Sequence, residues 1–367
     1  MAGSTFGTIF KITTWGESHG KGLGVVIDGC PAGLALCEND IQMFLNRRKP
    51  GQSKYTTPRQ ETDAVEILSG VFEGKTTGTP LSLVVWNKDQ RSRDYGEIAS
   101  YWRPGHADYT FDAKYGFRDY RGGGRSSGRE TIGRVAAGAV AVKILNRLGI
   151  RLAAYTKSIG PVSIDPSRFD LKECSQNSVN MPDADAAKKA QEYLDACMAG
   201  HNSSGGMVEC IVTGMPAGIG DPVFEKLDAN LAKAILSIGA VKGFEIGDGF
   251  AVAGATGKTN NDPFRLDENR QVKKAANHAG GVLGGMSDGS DLIFRAAIKP
   301  TPSIAAPQQT INRQGEEIEI SIKGRHDPVI VPRAVVVIES MAALTILDAL
   351  LVNMSAKMCA IENFYNV

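Results

Sequence analysis

Residues 103–134 read RPGHADYTFDAKYGFRDYRGGGRSSGRETIGR and gather the side chains best suited to hold an anion. Arg118, Arg121, Arg125, Arg129 and Arg134 are fixed cations whose forked donors match phosphate or carboxylate. Gly122, Gly123 and Gly124 let the backbone come close to a ligand. Ser127-Gly-Arg-Glu130 has the spacing of a capping box, which places Ser126 and Ser127 beside free N–H groups at the positive end of a helix. His106 adds a group that trades protons near neutral pH, and His19, His201, His278 and His326 also stand in polar or glycine-rich contexts typical of loops. An arginine–glycine run can also belong to a flexible nucleic-acid-binding segment. Such tracts repeat and lack a core helix behind them, whereas residues 135–145 here are small, apolar and fit to be buried. A folded anion pocket is therefore expected.

The elements that must position these groups are legible in outline. Helix patterns occupy residues 38–48, 131–148, 184–199 and 340–353, and residues 341–351 are apolar nearly all round, which predicts deep burial. Strand patterns occupy residues 81–86, 250–254, 292–298, 317–322 and 334–338. Residues 25–33, VVIDGCPAG, followed by the helix at 38–48, echo residues 210–218, CIVTGMPAG, followed by a helical stretch over 222–238. Each reads as strand, turn, helix. The chain is thus read as one domain over 1–367 built from two related halves, about 1–165 and 186–346, with the polar stretch 167–185 as the surface link.

Composition narrows the partners. The 367 residues carry a formal net charge of +1, so the arginine clustering is local and favours a small anionic ligand over a long polyanion. Cys30, Cys37, Cys174, Cys197, Cys210 and Cys359 form no C-x-x-C pair and have no histidine at zinc spacing. They are expected to be reduced thiols, with no metal site. No charged segment followed by an apolar run opens the chain, and no uninterrupted apolar stretch nears the roughly 20 residues of a membrane span, so a soluble, cytoplasmic protein without membrane or nucleic-acid partners is expected. Nucleotide motifs fail. Gly257-Lys-Thr259 resembles the end of a phosphate-binding loop, but Val252 stands where its first glycine is required. Residues 280–285, GGVLGG, have the wrong glycine spacing for a dinucleotide fingerprint.

Several longer motifs occur together: Gly16-Glu-Ser-His-Gly20, Asp28-Gly-Cys-Pro31, Arg103-Pro-Gly-His-Ala-Asp-Tyr-Thr110, Arg118-Asp-Tyr-Arg-Gly-Gly-Gly-Arg-Ser-Ser127, Ala240-Val-Lys-Gly243, Asn277-His-Ala-Gly-Gly281, Lys299-Pro-Thr-Pro-Ser303 and Arg325-His-Asp-Pro328. In this order the set resembles the chorismate synthase family, over nearly the whole chain to about Ile346. The resemblance implies an α/β (α+β) sandwich with helices between two antiparallel sheets, assembled as a homotetramer. Periodicity alone does not separate that fold from a doubly wound sheet. It also implies a lyase that closes the shikimate pathway: 5-enolpyruvylshikimate 3-phosphate loses phosphate from C3 and hydrogen from C6 in a 1,4-anti elimination to chorismate. Reduced FMN is the implied cofactor, lending and recovering an electron.

The resemblance also carries roles onto positions. His19 matches the histidine that protonates the leaving phosphate, with Ser18 beside it as orienting or relay group and Ser127 joining the catalytic set. His106 matches the histidine near the flavin ring, and Asp327 the aspartate that helps take the C6 proton. Judged by its own neighbours, Asp327 is as readily a turn residue ahead of Pro328. Arg125, Ser126, Ser127, Gly239, Ala240, Gly284, Lys299, Pro300, Thr301, Pro302, Ser303 and Arg325 fall on FMN-binding positions. Arg48, Arg129 and Arg134 are expected to meet the substrate's anions. Lys54 and Gly239 depart from the arginine and asparagine common in relatives. Some fungal relatives carry an NADPH-dependent flavin reductase in the same polypeptide; no added domain or dinucleotide fingerprint is seen here, so an external flavin-reducing system is expected.

Overall fold

Branched apolar residues in runs or alternation make the strands of this protein, and small apolar residues on every turn make its longest helices. In this computed structural model, which describes residues 3–56, 61–87, 97–322 and 327–366, Gly22–Asp28 is an apolar strand buried along nearly its whole length. Leu292–Ile298 alternates buried and half-buried positions, the period of a strand with one face on the core.

In chain order the first elements are β1 (Thr5–Phe6), β2 (Lys11–Gly16), β3 (Gly22–Asp28), α1 (Glu38–Arg48), β4 (Val65–Ser69), β5 (Val71–Phe72), β6 (Lys75–Thr76), β7 (Leu81–Trp86), α2 (Asp108–Tyr115) and α3 (Thr131–Arg147). There follow β8 (Arg151–Ile159), β9 (Val162–Ser163), α4 (Ala184–Ala199), β10 (Gly206–Thr213), α5 (Leu227–Leu236), β11 (Val241–Ile246) and α6 (Gly257–Asn260). The chain ends with β12 (Phe264–Leu266), β13 (Val272–Lys274), β14 (Val282–Leu283), β15 (Met286–Ser287), β16 (Leu292–Ile298), β17 (Gln308–Ile311), β18 (Glu317–Ile320), α7 (Val331–Asn353) and α8 (Met358–Tyr365). Two five-stranded sheets run β1-β2-β3-β7-β4 and β11-β16-β10-β8-β9. Their pairings are antiparallel.

Helix α3 lies on β2, β3 and β7, α7 lies on β8 and β10, and the two helices pack on each other. Gly138 sets their spacing. A Cβ at that position would stand 2.3 Å from Ser340 Cβ, so only glycine lets α3 and α7 approach this closely. Pro332 in the first turn of α7 has no N–H to leave unpaired, and inside the helix Ser340 and Thr345 donate to the carbonyls of Val336 and Met341. By length and composition α7 could cross a membrane, yet 72% of its most apolar window is buried inside the protein. In the sequence Arg333, Glu339 and Asp348 interrupt its apolar run.

Three local expectations are corrected. Residues 334–338 are not a strand but the early turns of α7, because burial on all sides suits Val and Ile in a helix as well as in a sheet. Residues 250–254 belong to a 3₁₀ turn, Gly249–Gly254, entered through Gly247 and Gly249 at φ +58, which an extended chain does not adopt. The strand expected at 317–322 is β18, which pairs with β17 outside both large sheets. The chain passes to the second sheet at Ile150, so β8 and β9, grouped by sequence with the first half, pair beyond it. The polar stretch 167–185 bends into short 3₁₀ turns and still buries Val179 and Met181.

Candidate functional site

The hairpin between β2 and β3 is the tight segment Gly16-Glu-Ser-His-Gly20, closed by Gly20 N–H on the Glu17 carbonyl at 3.1 Å. Ser18 is only 3% exposed. Gly122, at φ +100, lies directly against this turn: a Cβ there would be 2.7 Å from His19 Cδ2 and 3.1 Å from Ser18 Oγ. The glycine run thus brings bare backbone against the candidate proton donor. The capping box forms only in part. Ser127 Oγ accepts from Arg129 N–H at 3.3 Å and caps the 3₁₀ turn Gly128–Glu130, while α3 begins at Thr131. Glu130 is drawn instead to Thr14 Oγ1 (2.9 Å) and Arg134 Nε (2.7 Å). Ser126 donates to the Gly123 carbonyl at 2.6 Å.

Many of the arginines have partners within the protein, which corrects the picture of five open cations. Arg118 is held by Asp112 (2.7 Å) and the carbonyls of Ile98 and Tyr101, and Arg121 by Asp119 (2.7 Å). Arg103 and Asp108 form a buried forked pair at 2.8 Å. Burial alone would raise the Asp108 carboxyl, but Arg103 outweighs it and holds the group below the ordinary carboxylate range. Arg125 reaches Thr14 Oγ1 (2.6 Å) and the Gly16 carbonyl (3.0 Å), bracing the end of β2. Arg134 donates to Ser237 Oγ (2.6 Å), just ahead of Gly239 and Ala240.

Arg48 and Arg129 converge on one carboxylate. Asp63, itself buried and at φ +45, takes Arg48 Nη2 at 2.9 Å and Arg129 Nη1 at 3.2 Å, with Glu61 3.7 Å from the same Arg129 nitrogen. Arg48 is 1% exposed and also donates to the Gly128 carbonyl at 3.0 Å. Burial pushes its guanidinium down to about 10, against the pull of Asp63. Asp63 and Glu61 were missed by the sequence reading; they follow no motif, and only the fold brings them to the arginines. Asp327 is 2.8 Å from Arg333 Nη1, and Arg333 Nε donates to the Arg48 carbonyl at 3.1 Å. Arg325 and His326 lie outside the described residues.

A second cluster assembles around His106. Its Nε2 is 2.7 Å from Ser303 Oγ, and Lys299 Nζ donates to the Gly105 carbonyl at 2.7 Å. Gly105, at φ +69, packs against Pro302. Lys299 N–H donates to the carbonyl of Ala240, a non-glycine residue at φ +71. Pro300 packs against Gly205, and Ser203 Oγ donates to the Thr301 carbonyl at 2.7 Å. Ala240, Pro300, Thr301, Pro302 and Ser303 therefore come together with His106, beside an open Gly239. Gly284 stands on a separate hairpin. It tips the β14–β15 hairpin, whose Gly285 carbonyl accepts from Leu227 at the start of α5, and Ala240 follows the end of that helix. Lys54 forms an exposed pair with Asp195 at 2.8 Å. Among the described residues no group of three or more His, Cys, Asp or Glu is placed to hold a metal ion.

The likenesses to known proteins run along the same stretch as these clusters. The chorismate synthase family profile matches residues 10–351. Chorismate synthase of Agathobacter rectalis is 73% identical over 365 residues, covering 100% of this chain and 99% of that one. Chorismate synthase of Methanosarcina barkeri is 55% identical over 354 residues, covering 96% and 97%. A solved structure described as "Crystal Structure of Chorismate Synthase" aligns with a TM-score of 0.76 at 30% identity, over 98% of this chain and 97% of that one. Matched from its first strands to its last long helix, and carrying the histidine turn, the arginine pair and the Asp327 corner in one connected arrangement, the chain belongs to the chorismate synthase family.

Proposed function

We propose that this lyase eliminates phosphate from 5-enolpyruvylshikimate 3-phosphate to give chorismate, with reduced FMN as cofactor. The observation that carries the reading is the packing of Ser18 and His19 under Gly122, in a turn adjoining Arg129, whose partner Asp63 also holds Arg48. In this arrangement His19 gives a proton to the leaving phosphate. Arg48 and Arg129 offset its developing charge, an effect worth about 3–4 kcal/mol per donor in other enzymes. Asp327, oriented by Arg333, accepts the proton from C6, so the proton taken up there balances the one given by His19.

The protein's own atoms fit enclosed ligands, with Thr301 in the set proposed for the flavin and Ser18 and Arg48 in the set proposed for the substrate. Ser18 Oγ, Thr301 Oγ1 and Arg48 Nε are buried without a hydrogen-bond partner in the protein, and buried polar atoms are rarely left so unless a ligand or water completes them. Arg125, Ser126, Ser127, Gly239, Ala240, Gly284, Lys299, Pro300, Thr301, Pro302, Ser303 and Arg325 are proposed to hold the flavin. Reduced FMN, when bound, lends and recovers an electron, leaving no net redox change. His106, sharing a proton with Ser303 Oγ across 2.7 Å, would stabilise negative charge beside it. A polyanion-binding role draws less support, because Arg103 and Arg118 are buried in ion pairs.

We also propose that the chain is one unit repeated. The order β2-β3-β7-β4 has a counterpart in β8-β10-β16-β11. The corners correspond bond by bond: Thr76 Oγ1 donates to Pro31 O at 2.6 Å and accepts from Leu34 N–H at 3.0 Å, as Ser287 Oγ does with Pro216 O at 2.6 Å and Ile219 N–H at 2.9 Å. Homotetrameric assembly, cytoplasmic location and an external flavin reductase are proposed from family likeness.

The test is an anaerobic assay with FMN reduced once by dithionite, following chorismate absorbance and free phosphate together. Many equivalents of both should form per flavin, in equal amounts, and NADPH with oxidised FMN should give almost none. Flavin oxidised in step with product would overturn the reading.

A further inference from the structure

We infer that Asn87 is a positioning residue for His19, its amide clamping both ends of the turn at residues 17–20 and tying that turn to Arg129. The inference rests on the role given to His19 above. Asn87 directly follows β7. Its Nδ2 donates to the Glu17 carbonyl at 3.0 Å and to the Gly20 carbonyl at 2.8 Å. Its backbone N–H donates to the Lys21 carbonyl at 3.0 Å, and its Oδ1 accepts from Arg129 Nε at 3.0 Å.

Both amide hydrogens are thus used on the two ends of one turn, and Ser18 and His19 are the residues between the clamped ends. The turn cannot open or slide along β7 without breaking both bonds. Arg129 is gripped from its far end by Asp63 at 3.2 Å, so a continuous line runs from Asp63 through Arg129 and Asn87 to the turn. One side chain therefore fixes the candidate proton donor relative to an arginine of the candidate anion site. The chemistry requires an amide. Asparagine presents two donors and an acceptor in one plane, whereas aspartate keeps the acceptor toward Arg129 but turns an oxygen toward two carbonyl oxygens.

The test is a double-mutant cycle with Asn87→Ala and His19→Ala, assayed at saturating reduced FMN. Asn87→Ala should lower kcat on the order of 10²-fold, the scale of a small misplacement of a reacting group, with KM little changed. In the His19→Ala background the same change should cause little further loss, because groups that act through one another are non-additive. Asn87→Asp, which retains the Arg129 acceptor, should lose kcat as the alanine variant does, and it carries the same cycle if Asn87→Ala does not fold. Additive losses alongside an impaired His19→Ala, or a loss confined to KM, would overturn the Asn87 assignment alone. Full activity in His19→Ala would overturn the His19 role and this inference together.

Discussion

Residues 97–130 follow β7 in the chain and lead into α3, and residues 299–322 and 327–330 follow β16 and precede α7, so the two segments hold matching places in the order of elements. They are braced in opposite ways. Up to Arg121 the first is braced largely by its own residues: Arg103 pairs with Asp108, Arg118 with Asp112 and Arg121 with Asp119, and only beyond it do Arg125 and Arg129 reach Thr14 and Asp63. The second is held largely by its surroundings: Lys299 N–H on Ala240, Lys299 Nζ on Gly105, Ser203 on Thr301, Ser204 N–H on Pro328 and, past its end, Arg333 on Asp327. The two meet where His106 touches Ser303 and where Arg313 pairs with Asp112 at 2.9 Å. A segment fixed by its own ion pairs can serve as the reference against which the other is aligned, so breaking the ion pairs of the first should act on stability, whereas replacing the groups at which the two segments face the site, His106 in the first and Asp327 in the second, should act on catalysis.

The largest effects should appear where the segments offer proton-trading groups. Asp327→Asn keeps the shape of the carboxylate but not its basicity, and His106→Ala removes the imidazole from Ser303. Each should lower turnover by about 10²–10⁴-fold, the usual contribution of an acid–base group, while flavin binding and thermal stability stay close to the parent. Wild-type turnover in either variant would remove that residue from the mechanism.

Next in size are the internal braces. Asp108→Asn leaves the buried Arg103 without its counter-charge and should destabilise the protein by about 3–5 kcal/mol in denaturant unfolding. The pH dependence follows from the lowered carboxyls of Asp108, Asp112 and Asp119. A carboxyl whose folded value lies below its unfolded one, about 3.9 for aspartate, stabilises above that value and loses the contribution as pH falls through the folded value. Stability should therefore drop as pH falls below about 4, and the slope should be shallower in Asp108→Asn. An unchanged slope would mean that this pair does not brace the segment. Smaller again, Thr76→Val and Ser287→Ala each leave a corner N–H of Leu34 or Ile219 short of its acceptor and should cost similar amounts, about 1–3 kcal/mol. Clearly unequal losses would count against the repeated unit.

Much of this comparison was legible in the residues. The helix at 38–48 and the strand at 292–298 are read with their observed bounds, because amphipathic spacing and alternation are unambiguous there. The VVVI of residues 335–338 fits either period, and only packing between α3 and the second sheet decides for helix. The arginine run was over-read as a set of free cations, although Asp112 and Asp119 stand in the same short stretch and signal self-pairing. Asp63 and Asn87 were invisible because their importance lies in what the fold brings to them: Asp63 meets two arginines from separate helical segments, and Asn87 meets a hairpin remote in sequence. A single chain can display its reacting groups through their types, but it hides the groups that aim them.

The smallest expected effect tests where the outside bracing of the second segment begins. Gly239 and Ala240 are neighbours, yet only Ala240 is constrained: it sits at φ +71 and its carbonyl receives Lys299 N–H at 2.9 Å. Gly239 needs no left-handed backbone, and a Cβ built on it would meet no atom within 4 Å. Gly239→Asn should therefore shift stability by no more than about 0.5 kcal/mol, as for a surface change that disturbs no packing or hydrogen bond. Ala240→Val is the matched control, because a branched side chain at positive φ is strained and would pull on Lys299. Comparing the pair by thermal unfolding and by reduced-FMN titration separates steric room from alignment. A loss in Gly239→Asn as large as in Ala240→Val would place the start of the brace one residue earlier and leave the Ala240–Lys299 bond a passenger.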